Sequence, residues 1–479
     1  MKNELSSNLK LGFFYTAIGK YGMMIIQIVV NAILSRLLSP SDYGIVAITT
    51  VFITFFQLLA DMGIGPAIIQ NKTLTNDDIG EIYWFSIILS LFFTILFGLS
   101  GIVFVSIYND EIYYKLNALL SLSVLFYSLL IVPNAILLKK KDFKAINLFK
   151  IIAAIIGGGI SMLLALDGWG VFSLAINNII IAVISFVLIA KRSQVKIKLP
   201  NNFNSLKKIW TFSKNQFGFN FINYFSRNSD NILIGKFIST EALGNYNKAY
   251  QLLMYPNTIF SGIITPVLQP VLSDYESDVK TIKKIYLDIV HILALFGMPL
   301  SIFFSLSSRQ VIFFMFGNQW EDAILPFSIL ALTVWIQMLV SSTGAIFQAR
   351  NKTNYLMFGG LVSAFILVFS IVLGVSLKSI IYVSLFLTFG FVVNLIFSFW
   401  LLMTKALSSN LLEFFSHLIR PTVISFFVGI GLLLYGNFIN PQNIFMDLLF
   451  RGIIFLVICV TLGKILGEDK IIKRIIFVK

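Results

Sequence analysis

RLLSPSDYG, residues 36–44, and KFISTEALG, residues 236–244, stand 200 positions apart and lie one on the other without a gap. Arg36 meets Lys236, Ser39 meets Ser239 and Gly44 meets Gly244; the same offset sets Asn31 on Asn231 and Pro66 on Pro266. Self-similarity over so long a period is what a duplicated helical bundle leaves in a sequence. Six intervening helices return the chain to its starting side, so the expected duplication is parallel rather than inverted. The basic breaks LKKKDFK (residues 138–144) and QARNKTN (residues 348–354) fall in corresponding places of the two halves.

Composition names the solvent of these bundles. Of 479 residues, 57% are hydrophobic and 12% charged, and the mean hydropathy is +0.88, far from a soluble balance of about 25% charged. Apolar runs near 20 residues long match a hydrocarbon core of roughly 30 Å, which a helix crosses with its backbone hydrogen-bonded internally. The expected class is an all-α polytopic membrane protein of about 14 transmembrane helices. A first run behind Lys2 and Lys10 is interrupted by Lys20 and followed by no small-residue cleavage site, so it reads as a retained helix. The single cysteine, Cys459, excludes an internal disulfide and a cysteine metal cluster.

An even helix count puts both termini on one side. Roughly 25 Lys and Arg fall in breaks and tails on that side against about five opposite, so both termini are expected in the cytoplasm. The net charge of +14 is then topological and does not point to nucleic acid. The acidic patch of Asp77, Asp78 and Glu81 beside Lys72 runs against this bias. The longest hydrophilic break follows the sixth helix, dividing the chain into a lobe at 1–195, a linker at 196–206, a second lobe at 207–405, and two further helices with a basic tail at 406–479.

Polar residues inside the spans are periodic. In the seventh helix Gln216, Asn220, Asn223, Arg227, Asp230 and Asn231 recur at three- and four-residue spacing, one stripe of a helix whose other faces carry phenylalanine and tyrosine. Thr16, Lys20, Gln27 and Asn31 form the corresponding stripe of the first helix. A charge at the bilayer centre costs about 3 kcal/mol on insertion scales, so such faces line a watery cavity or a protein interior. Arg227 and Asp230, at i and i+3, admit two readings: mutual neutralisation, or contact with substrate or ion. Lys20 stands between cavity cation and snorkelling anchor. Asp61 and Asp230 are the ion-coupling candidates, with local solvation near a helix end the alternative for Asp61.

Catalytic constellations are missing. His291 and His417 form no metal-ligand pattern, no phosphate-binding loop occurs, and the loops on the non-terminal side are short. No catalytic, metal or cofactor site is expected, and the role is non-enzymatic. A cation-coupled small-molecule exporter is one alternative. A membrane polysaccharide polymerase or ligase is the other, but it calls for a large external loop with charged residues.

LSRLLSPSDYGIVAI with ADMGIGPAIIQ in the first half, and SDNILIGKFISTEALGNYNKAYQL with PVLQPVLSDY in the second, resemble oligosaccharide flippases of the Wzx type. These form the polysaccharide-transporter branch of the superfamily that also holds multidrug-and-toxin exporters and lipid II flippases. The resemblance covers nearly the whole chain. It implies two six-helix bundles in a V plus two C-terminal helices, carrying undecaprenyl-pyrophosphate-linked repeat units from the cytoplasmic to the outer leaflet of a bacterial cytoplasmic (inner) membrane by alternating access. It further implies membrane lipid and polysaccharide polymerase or chain-length machinery as partners, with Lys20 and Arg227 as the cavity cations by position. Lipid II flippases have several cavity arginines and this chain fewer, a departure that sets lipid II apart as a substrate.

Overall fold

The computed structural model describes residues 2–200, 204–273, 275–276, 278–439 and 441–468; side chains are described from Gly19 onward, except position 204 and gaps inside 211–226 and 261–271. The chain divides into two compact units, Met1–Gly244 and Asn245–Lys479. The first holds α1 (Lys2–Leu37), α2 (Pro40–Asp61), α3 (Ile64–Gln70), α4 (Asn76–Tyr108), α5 (Ile112–Leu129), α6 (Ile131–Lys139), α7 (Phe143–Leu166), α8 (Val171–Ser193) and α9 (Asn204–Phe237). Helix α10 (Thr240–Ser273) starts at its end. There follow α11 (Val279–Leu306), α12 (Ser308–Phe316), a 3-10 turn (Asn318–Ala323), α13 (Ile324–Ala331), α14 (Val334–Ala349), α15 (Thr353–Ser376), α16 (Ile380–Lys405), α17 (Leu411–Ser416), α18 (Ile419–Phe438) and α19 (Ile444–Ile465).

Among the described residues, eleven helices are long and apolar enough to cross a membrane, with α5 and α6 as one; a twelfth is added if the pair Asn318–Ala331 and Val334–Ala349, bent by 53°, counts as one span. Helices α9 and α10, of 34 residues each, are about 51 Å long at 1.5 Å per residue, but are rich in polar residues and stand outside that count. The chain is an all-α polytopic membrane protein.

Local chemistry starts these helices. Ser39 and Asp42 form a capping box ahead of α2, with Pro40 at the first helical position; Thr75 and Asp78 do the same for α4. Each satisfies backbone N–H groups that helical bonding leaves open, at about 1 kcal/mol per cap. Close packing in the first unit uses small residues, as membrane bundles do. A Cβ added at Gly158 of α7 would lie 2.5 Å from Val30 of α1. Ile64, Ile68, Ile82, Val132 and Ile136 form an apolar core from α3, α4 and α6.

The first turns of α2 and α10 meet reciprocally. A Cβ on Gly44 would lie 1.7 Å from the Thr240 carbonyl oxygen, and one on Gly244 would lie 1.9 Å from the Pro40 carbonyl oxygen. Residues 200 positions apart thus exchange roles, and no side chain fits between the backbones. Ser41 Oγ and Thr240 Oγ1 are 3.4 Å apart in the same crossing.

In the second unit α18 packs along α11 through Ile424, Val428 and Leu432, with Leu295, Ile302 and Phe303 against them. Polar clamps lie near both ends of that seam. Arg451 Nε donates to Asp447 Oδ1 at 3.0 Å and its Nη1 to the Leu306 carbonyl at 3.1 Å. At the other end His291 Nε2 and Glu468 Oε2 stand 2.7 Å apart, while His291 Nδ1 lies 2.8 Å from the His417 carbonyl.

Candidate functional site

Helix α9 runs antiparallel along α2 and α3. At one end Asn71, the C-cap of α3, donates to the Lys208 carbonyl at 3.3 Å; at the other a Cβ on Gly235 would lie 2.8 Å from Ile48. Between them Phe55 meets the rings of Phe221, Tyr224 and Phe225 at 5.9, 5.9 and 5.3 Å, and the Tyr224 hydroxyl donates to the Val51 carbonyl. At 3.6 residues per turn, the polar stripe lies roughly 100° around α9 from this aromatic face. Helix α1 repeats the arrangement. Gly19 and Val30 pack on Asn147 and Gly158 of α7, and the direction of Lys20, Gln27 and Asn31 is again roughly 100° away.

The stripe residues differ in their surroundings. Gln216 Nε2 donates to Asn220 Oδ1 at 3.0 Å. Arg227 is exposed and makes no ion pair or side-chain hydrogen bond among the described residues, although Asp230 is three positions away. Asp230 is buried, 8% exposed, and its Oδ1 accepts from the Asn231 N–H at 2.8 Å. Asn231 Oδ1 is buried without a hydrogen bond among the described residues. Lys20 and Gln27 are exposed, and Asn31 Nδ2 donates to the Gln27 carbonyl at 2.9 Å. The side chains of Thr16 and Asn223 lie outside the described residues.

Asp61 sits where α2 breaks into α3. Met62 and Gly63 take positive φ of 42° and 75°, and Asp61 Oδ1 accepts from the Gly65 N–H at 3.0 Å across the break. The break abuts the start of the α9 stripe: a Cβ at Gly63 would lie 2.8 Å from the Ser213 carbonyl and 3.2 Å from Gln216 Cβ. Gln216 and Asp230 are separated by about 20 Å of helix. The structure therefore brings Asp61 near Gln216 and leaves the two coupling candidates at opposite ends of the stripe.

The acidic patch that opposes the charge bias has a structural partner. Lys208 Nζ lies 2.8 Å from both oxygens of Asp78, and the Ser205 hydroxyl lies between Asp78 Oδ1, at 3.0 Å, and Glu81. Lys198 pairs with Asp77, and its N–H donates to the Gly80 carbonyl at 3.3 Å. The hydrogen bond from Lys198 to Asp77 holds that ammonium's pKa above its usual value. The basic linker is thus fastened across the start of α4. Sequence reading missed this clasp; the one signal for it was opposite charge in two breaks on the same side.

The fold defines a class, the polytopic all-α membrane proteins, here with polar stripes on two of the helices. Similarity of fold is broad: to lipid II flippase MurJ in an inward closed conformation, with a TM-score of 0.77, 14% identity, and 95% of this chain and 99% of that one covered; and to an inward-facing multidrug resistance transporter of the MATE family in the MOP superfamily, with a TM-score of 0.60, 17% identity, and 84% and 95% covered. The polysaccharide biosynthesis protein family model matches residues 33–325, and the chain belongs to that family. Relatives include the teichuronic acid biosynthesis protein TuaB of Bacillus subtilis (strain 168), 24% identical with 93% of this chain and 92% of that protein covered. The lipopolysaccharide biosynthesis protein WzxC of Escherichia coli (strain K12) is 20% identical, with 86% and 85% covered.

Proposed function

We propose that the protein is a flippase that carries an undecaprenyl-pyrophosphate-linked oligosaccharide repeat unit from the cytoplasmic to the outer leaflet by alternating access. The observation that carries this is Arg227, an unpaired guanidinium on a polar stripe turned away from the aromatic seam. A pyrophosphate takes charge-assisted, bidentate hydrogen bonds from such a group, while Lys20 supplies a second cation and Gln27, Asn31, Gln216, Asn220, Asn223 and Asn231 suit sugar hydroxyls. The relatives named for teichuronic acid and lipopolysaccharide biosynthesis support a glycan cargo.

In this reading the working lobes are 1–195 and 207–405, joined by the linker at 196–206, with two terminal helices in 406–479. Counting α9, α10 and the bent pair gives fourteen spans, both termini face the cytoplasm, and the role is non-enzymatic. The reciprocal contact of Gly44 and Gly244 supports two parallel repeats. Asp230, buried on the stripe, and Asp61, at the α2–α3 break, are the coupling-ion candidates. The test is export of the glycan in cells whose own flippase is deleted: Arg227→Ala should abolish it with normal membrane insertion, and Arg227→Lys should retain part. Full export by the alanine variant would remove Arg227 from the mechanism.

A further inference from the structure

A cavity of about 630 Å³ opens on the flank of the first unit where α4 ends, α5 begins and α8 begins. Ile102, Val105, Ile112 and Phe172 wall it, and two charged side chains, Glu111 and Lys115, line it as well. Both are exposed, and neither makes an ion pair or side-chain hydrogen bond among the described residues, although their i, i+4 spacing favours pairing. The surroundings mark the edge of the hydrocarbon. Tyr114 and Trp169 are 58% and 48% exposed at the same end of these helices, as aromatic side chains are at a membrane interface.

We propose that this cavity binds a zwitterionic glycerophospholipid with a primary ammonium head, of the phosphatidylethanolamine type. The order of the charges carries the assignment. Glu111 lies in the turn before α5 and Lys115 four residues further in, about 6 Å deeper along the helix. In such a lipid the ammonium is outermost and the phosphate lies beneath it, beside the glycerol. Each charge then faces its opposite: ammonium donates to the Glu111 carboxylate, and Lys115 donates to phosphate. A choline head has no N–H to donate, and a purely anionic head leaves Glu111 facing negative charge. The apolar walls take the upper acyl chains.

The full-length protein, exchanged into mixed micelles holding equal amounts of phosphatidylethanolamine, phosphatidylcholine and phosphatidylglycerol, is examined by native mass spectrometry for retained lipid. Phosphatidylethanolamine should be retained about tenfold over phosphatidylcholine, as one charge-assisted hydrogen bond gives. Glu111→Gln should bring it to the phosphatidylcholine level, and so should the double exchange Glu111→Lys with Lys115→Glu, which reverses the order of charge; Lys115→Ala, which removes the contact to the phosphate that all three lipids carry, should lower retention of all three. Val105→Trp, which fills the cavity and touches neither charge, should lower retention of this lipid as well. Equal retention of all three lipids, preference for phosphatidylglycerol, or retention unchanged in Val105→Trp would overturn the assignment.

Discussion

Lys208 Nζ stands 2.8 Å from both carboxylate oxygens of Asp78, joining residues 130 positions apart in the chain. With Ser205 on Asp78 and Glu81, the pair fixes the start of α9 to the start of α4, and Lys198 on Asp77 fastens the linker before it. Asp78→Asn should lower the apparent stability by about 1–2 kcal/mol, because it weakens a partly buried charge-assisted bond. Limited proteolysis should also cut the linker faster. The exchange Asp78→Lys with Lys208→Asp should recover part of the loss, and an unchanged cleavage rate in Asp78→Asn would show that the clasp does not hold the linker.

The glycine crossing leaves no room for a methyl group. Gly44→Ala or Gly244→Ala forces a backbone carbonyl oxygen to retreat by more than an ångström, and overpacking of this kind costs about 1–3 kcal/mol. Thermal unfolding in detergent should show both losses. Because one separation accommodates both methyl groups, the double variant should lose less than the sum; strict additivity would mean that the two sites are independent.

Arg227 and Asp230 are neighbours on α9 without Arg227 being paired. Exchanging them, Arg227→Asp with Asp230→Arg, should therefore fail to restore glycan export in a protein that inserts normally. Rescue would establish a mutual ion pair and return both residues to a structural role.

Glu413, in the short helix α17, accepts from the Ser409 hydroxyl and pairs with Lys283 at 2.9 Å. Those two contacts hold its pKa below the ordinary glutamate value of 4.5. Lower folded than unfolded pKa means that its contribution is complete above the unfolded value and fades as acid protonates the folded carboxylate. Thermal stability of the native chain should fall on acidification below about pH 4.5 more steeply than that of Glu413→Gln. Parallel pH profiles would assign the acid sensitivity elsewhere.

Much of the candidate site was legible because it is written in local spacing. The positions Gln216, Asn220, Arg227 and Asp230 share one direction of any straight helix, and the structure keeps α9 continuous through them. The pairing question at Arg227 was open in sequence, since i, i+3 spacing permits a contact without forcing it. Asp61 looked equally suited to ion coupling and to solvation. Its observed use, accepting from Gly65 across a helix break, depends on the positive φ at Met62 and Gly63, which periodicity does not report.

Sequence by itself determined the solvent, the helical class, the charge bias of the loops and the two polar stripes, because composition and spacing act within a single helix. Tertiary structure alone decided that α9 lies antiparallel on α2 and α3, that an acidic patch at odds with the charge bias fastens the linker, and that Gly44 and Gly244 meet backbone to backbone. These are contacts between residues well over a hundred positions apart. Their existence rests on shape and charge matching between elements, to which no local run of residues is a guide.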